Sequence, residues 1–246
     1  MNITEESVLL PTSAGTMRTV ILRPVEEGVY PCLVLYSEIF QLTGPIMRSA
    51  AIMAGHGFVV ALPEVYFQHL EAGTVLAYDD AGKDIGNQLK IDTPIANYDL
   101  GLEAIIKHLQ TQPYCSGKFG SIGFCLGGHL AFRAALHPSI DAAACFYGTD
   151  IHSGTLGPKG TCNTFERIDK IKGEVMMLWG RQDPHVPAEG RAKIYQELTA
   201  KNIRFTWHEF NAAHAFMRDE GDRYNPSLAQ SCYQQAADLF NRTLKR

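Results

Sequence analysis

The run Gly123-Phe124-Cys125-Leu126-Gly127-Gly128 sets a thiol among glycines, between an apolar stretch that reads as a strand and one that reads as a helix. It fits the nucleophile elbow G-x-S-x-G with cysteine in place of serine. A nucleophile on so sharp a turn takes strained backbone angles, so its neighbours must be glycine for strand and helix to pass closely. At a helix N-terminus the thiol also meets the positive end of the dipole, which favours thiolate. Two further residues complete a constellation. Asp183 lies in Gly180-Arg181-Gln182-Asp183-Pro184-His185-Val186-Pro187, and His214 in Asn211-Ala212-Ala213-His214-Ala215-Phe216. Each segment follows a predicted strand, and the chain order nucleophile, acid, histidine is one of those in which such triads occur. The chemistry expected is acyl transfer, with Cys125 as nucleophile, His214 as base and Asp183 orienting the imidazole.

Other readings of the same residues exist. Cys125 alone could be a buried structural thiol between packing glycines. Gly120, Gly123 and Gly127 also suggest a dinucleotide-binding turn, but that fingerprint wants an acidic residue at the end of the next strand, about 20 positions on. Asp141 has the spacing and precedes its strand instead. His185 rivals His214 as base, yet it lies two residues from Asp183, too near to be oriented by it. His129, one helical turn beyond Cys125, raises a zinc site, but an elbow turns its nucleophile away from the following helix. No metal or other cofactor is expected.

The elements that must position these groups alternate along the chain. Cys32–Tyr36 and Phe58–Leu62 are continuous apolar runs, as suits strands buried on both faces of a parallel sheet. Between them Pro45–Ala54 reads as a helix, with proline in its first turn and Gly55 and Gly57 as stops. Ile95–Gln110 carries one apolar stripe at helical spacing. Strands are expected at Phe119–Phe124, Ala142–Tyr147, Val175–Trp179 and Arg204–Phe210. Helices are expected at Leu126–Leu136, Ala188–Thr199 and Leu228–Leu239. Val8–Leu10 and Arg18–Leu22 have no helix between them and read as an antiparallel edge hairpin. Strands and helices at this pace predict an α/β fold, with a mostly parallel open sheet and helices on both faces. Residues 1–246 show no repeat or long linker, so one domain is expected. Tyr66–Lys90 and His152–Thr164 lack clear periodicity and are expected as loops at the ligand-binding end of the sheet.

Composition narrows the class. A formal charge of −4 with scattered basic residues offers no footprint for nucleic acid or an anionic membrane. The N-terminus has no basic, then apolar, leader, and no stretch approaches the length of a membrane span. The six cysteines contain no C-x-x-C pair, and reduced thiols in a cytoplasmic protein are expected. The expected partner is a small-molecule ester or lactone; both monomer and dimer remain open.

These motifs resemble the dienelactone hydrolase family of α/β-hydrolases, also called carboxymethylenebutenolidases, over nearly the whole chain from Val8 to Leu239. The resemblance rests on the elbow with cysteine, on Gly180-Arg181-Gln182-Asp183 with Val186-Pro187, on Ala213-His214-Ala215-Phe216 and on Ser37-Glu38-Ile39-Phe40. It implies that Glu38 lies beside the nucleophile, where a shared proton would keep Cys125 an unreactive thiol until substrate arrives. It also implies that the Ile39 and Leu126 N–H groups form an oxyanion hole, and that Arg218 holds a substrate carboxylate. The family's second carboxylate-binding arginine falls on Lys83, which keeps the charge without the bidentate fork. A pocket tyrosine falls on Asn87, and the first tyrosine of the family's Tyr-Tyr-Gly run falls on Phe146. Two alternatives stay open: a broader carboxylesterase or thioesterase, and a small-molecule sensor without turnover.

Overall fold

The computed structural model describes residues 1–245. Its strands are β1 (Ile3–Thr12), β2 (Gly15–Pro24), β3 (Tyr30–Tyr36), β4 (Val59–Pro63), β5 (Cys115–Phe124), β6 (Ile140–Phe146), β7 (Glu174–Gly180) and β8 (Arg204–Phe210). They form one eight-stranded sheet in the order β1-β2-β4-β3-β5-β6-β7-β8. From β4 to β8 every pairing is parallel, whereas β1–β2 and β2–β4 are antiparallel, so the N-terminal hairpin caps one edge as expected. Among the described residues no helix is long and apolar enough to cross a membrane.

The helices are α1 (Gly44–Gly55), α2 (Asp80–Asp92), α3 (Ile95–Gln110), α4 (Leu126–Ala134), α5 (Ala188–Ala200) and α6 (Pro226–Leu244). A strand's period of two sends alternate side chains to opposite faces. Cys32, Val34 and Tyr36 of β3 therefore join the core under α3, α4 and α5, while Leu33 and Leu35 join the one under α1 and α6. This two-sided burial explains why β3 and β4 read as continuous apolar runs.

Helix α2 corrects the expectation of a loop over Tyr66–Lys90. It begins where Asp79 caps it, the side chain accepting from the Gly82 N–H at 2.7 Å. Its periodicity is weak because Ile85 and Ile91 stay exposed and the buried positions are Gly82 and Gly86. A Cβ on Gly86 would lie 2.7 Å from the Ile39 carbonyl oxygen. The glycine that lowers helix propensity is thus what lets the helix close on the segment after β3. A short 3-10 helix at Phe165–Lys170 follows the other irregular stretch.

Candidate active site

Because β3 and β5 through β8 run parallel, the segments after them gather at one end of the sheet. Ser37–Phe40 follows β3, Cys125 follows β5, Asp183 follows β7 and His214 follows β8. Cys125 has φ 58° and ψ −118°, a positive φ uncommon for a residue with a Cβ. Its N–H donates to the Phe146 carbonyl at 3.1 Å, and its own carbonyl accepts from Gly128 and His129 of α4. The turn is tight enough to exclude side chains. A Cβ on Gly123 would lie 1.9 Å from the Gly127 carbonyl oxygen, and one on Gly127 would lie 2.1 Å from the Tyr36 carbonyl oxygen. Gly127→Ala is accordingly expected to destabilise the protein by about 1–3 kcal/mol, seen as a lower urea midpoint. An unchanged midpoint would mean that α4 can draw back from β3 at no cost.

Asp183 and His214 are both buried, at 4% and 6% exposure. The His214 Nδ1 lies 2.6 Å from one Asp183 oxygen, and the other oxygen accepts the His185 backbone N–H at 2.8 Å. Backbone bonds lock the two loops together: Arg181 donates to the Phe210 carbonyl and Gln182 to the Ala212 carbonyl. Tyr147 and His185 pack edge-on against the His214 ring, with centroids 5.0 and 4.7 Å away. Burial alone would lower the imidazole pKa. The charge of Cys125 and the bond to Asp183 outweigh it, and His214 is pushed up to about 10. His185, which also lines the cavity, is lowered instead, by burial and then by His214. His129 is fully buried with both ring nitrogens engaged, one by the Thr149 carbonyl and one by the Thr164 hydroxyl. Burial lowers its pKa to about 4.

The half-buried Cys125 opens onto a cavity of about 530 Å³, which Glu38, Ile39, Lys83, His214 and Arg218 also border. Glu38 is buried, and its bonds go to Tyr78 and Arg218 rather than to the Cys125 sulfur. The Tyr78 hydroxyl donates to it at 3.3 Å, and the Arg218 guanidinium stands 3.6 Å away. Arg218 also lies over the Tyr78 ring, 4.3 Å from its centroid, and donates to the Glu220 carbonyl. Among the described residues, the N–H groups of Ile39 and Leu126 donate to no backbone carbonyl. Lys83 reaches the cavity rim half-exposed, beside Asp80 at 3.4 Å.

Five charged residues at the cavity were not foreseen: Asp79, Asp80, Lys90, Asp150 and Arg223. Lys90, at the end of α2, pairs with Asp150 at 2.9 Å, both side chains largely buried. Burial would raise the Asp150 pKa, but Lys90 outweighs it and holds the carboxyl at about 2. The spacing Lys83, Asn87, Lys90 is a helical stripe that could have flagged Lys90, had α2 been recognised. Four cations (Lys83, Lys90, Arg218, Arg223) and four carboxylates (Glu38, Asp79, Asp80, Asp150) border the cavity, so its formal charge balances.

Comparison with known proteins adds to this geometry. The model of the dienelactone hydrolase family matches residues 17–244. A Saccharomyces cerevisiae protein provisionally named a carboxymethylenebutenolidase is 40% identical over 257 residues, spanning 100% of this chain and 94% of that protein. The carboxymethylenebutenolidase of Pseudomonas putida is 26% identical over 213 residues, 85% of each chain. A crystal structure from Klebsiella pneumoniae, provisionally named a dienelactone hydrolase, superposes with a TM-score of 0.85 at 21% identity. It covers 98% of this chain and 100% of that one. Likeness at that identity shows the fold, which is that of the α/β-hydrolases.

Proposed function

Since the chain belongs to the dienelactone hydrolase family, we propose that it hydrolyses a carboxylate-bearing ester or lactone through Cys125, His214 and Asp183. The observation that carries this reading is the buried 2.6 Å bond from His214 to Asp183 at a cavity shared with a positive-φ cysteine. An imidazole raised to about 10 keeps its proton at neutral pH, ready to protonate a leaving group. The Cys125 thiolate attacks the carbonyl carbon, and the carbonyl electrons move onto oxygen. The Ile39 and Leu126 N–H groups receive that oxyanion, one such donor typically contributing about 3 kcal/mol. As the C–O bond breaks, His214 protonates the departing oxygen. Water then attacks the thioester, His214 takes its proton, and Cys125 leaves as thiolate. Loss of the catalytic cycle on a chromogenic acetate and on dienelactone alike would leave the sensor reading.

Arg218 is the cation best placed for a substrate carboxylate, since Tyr78 and Glu220 fix its plane. A carboxylate that claims Arg218 must displace Glu38, the group now beside it. Arg218→Ala should therefore cost an acidic lactone about tenfold or more in kcat/KM, and the neutral methyl ester much less. Equal losses on the two substrates would remove Arg218 from substrate binding. The balanced charge of the cavity favours a second reading, a broader carboxylesterase or thioesterase, in which the neutral ester is turned over at least as well as the acid.

A further inference from the structure

At the far ends of the strands that lead to Glu38 and Cys125, two more thiols meet. Cys32 in β3 and Cys115 at the start of β5 lie 83 positions apart, yet their sulfurs are 3.3 Å apart, Cys32 donating. The backbone fixes this approach. Tyr30 pairs in register with Cys115, its N–H donates to the Tyr114 carbonyl at 2.8 Å, and the ladder shifts between Tyr30 and Cys32. Cys32 is fully buried. Cys115 is half-buried and followed by the exposed Ser116, Gly117 and Lys118. Its sulfur accepts a second hydrogen bond, from the Gly117 N–H at 3.4 Å.

We propose that Cys115 and Cys32 form a second thiol site, separate from Cys125, at which a hydroperoxide oxidises Cys115 and Cys32 closes an intramolecular disulfide. The reachable sulfur is the one that accepts both hydrogen bonds, and such bonds favour thiolate. The bond from Cys32, against burial, brings the Cys115 pKa down to about 7, while Cys32 itself is pushed up by that bond and by burial. A thiolate at Cys115 attacks the distal peroxide oxygen and the O–O bond breaks. The sulfur loses two electrons, the peroxide gains them, and the departing alkoxide takes the proton that Cys115 released. Cys115 is then a sulfenic acid. The Cys32 sulfur attacks it, the S–O bond breaks, and hydroxide leaves with the Cys32 proton as water. Two thiols and one hydroperoxide give a disulfide, an alcohol and water. From 3.3 Å, the sulfurs need approach by only about 1.2 Å to bond. Among the described residues no other two cysteines are hydrogen-bonded to each other.

The full chain, reduced and desalted, is exposed to hydrogen peroxide, then unfolded in N-ethylmaleimide and mapped by mass spectrometry. The expected result is a Cys32–Cys115 cross-linked peptide, two fewer maleimide adducts from this pair, and reversal by dithiothreitol. In Cys32→Ser the sulfenic acid at Cys115 should persist and be trapped by dimedone. In Cys115→Ser, where half-burial makes the change easy to accommodate, Cys32 should remain a free thiol. Cys125 is scored on its own peptide, so loss of the proposed nucleophile is not mistaken for the pair. Maleimide on both Cys32 and Cys115 after peroxide has modified Cys125 would overturn the proposal. So would a disulfide from Cys115 to any other cysteine, or trapping of Cys115 in the parent as efficiently as in Cys32→Ser.

Discussion

Cys125→Ala should lower kcat on a chromogenic acetate by roughly ten-thousand-fold or more, while the protein keeps its fold. The size follows from the role. Without the sulfur no acyl-enzyme forms, and only the oxyanion donors and binding remain. Retention of the fold follows from the turn. Cys125 already holds a Cβ at φ 58°, so alanine adds neither clash nor strain beyond what cysteine bears. Glycine at the same position should stabilise the protein, since it alone tolerates that φ without cost. Kinetics on the ester and thermal unfolding of both variants are the measurements. Wild-type turnover in Cys125→Ala would remove the nucleophile assignment whatever the geometry of its neighbours. Loss of the folded state in both variants would instead give the thiol a structural role.

Asp183→Asn should cost about a hundred- to ten-thousand-fold in kcat/KM, for a reason visible in its two hydrogen bonds. The carboxylate accepts from the His214 ring and from the His185 backbone N–H. Asparagine has one acceptor, and the backbone N–H cannot become an acceptor, whereas an imidazole can change tautomer. The amide oxygen should therefore keep His185, and the amide NH₂ should donate to Nδ1, placing the imidazole proton on the nitrogen that must serve as base. The substitution also removes part of what lifts His214 to about 10. The alkaline limb of kcat/KM, near pH 10 in the parent, should move to lower pH in the variant. The linkage to stability has a definite sign. A folded pKa above the ordinary 6.5 means the contribution is fully present below about pH 6.5 and is lost as pH rises toward 10. Urea midpoints across that window should fall in the parent and fall less in Asp183→Asn. A variant with the parent's alkaline limb and the parent's slope would mean that Asp183 does not govern the imidazole.

How much of this was legible beforehand depended on how local each signal is. The elbow needs glycine at Gly123 and Gly127 because carbonyl oxygens stand about where their Cβ atoms would be, and that demand shows in six consecutive residues. The alternation of apolar runs with helical stripes likewise follows from backbone periods, so the elements and the end of the sheet where the site lies could be read in advance. Helix α2 could not. Its buried positions are glycines, and only contact with the segment after β3 makes them an advantage.

By itself the sequence determined the order of the elements and the residues carrying the candidate chemistry, because periodicity, glycine and chain order act over a few residues. Tertiary structure alone decided the partners. It gave Glu38 to Tyr78 and Arg218, set Asp150 against Lys90, and brought Cys32 to Cys115 across 83 positions. These are contacts between groups whose identity limits their chemistry but not their neighbours. A carboxylate buried at the end of a strand must find a donor, yet which donor reaches it depends on how helices and loops close over the sheet.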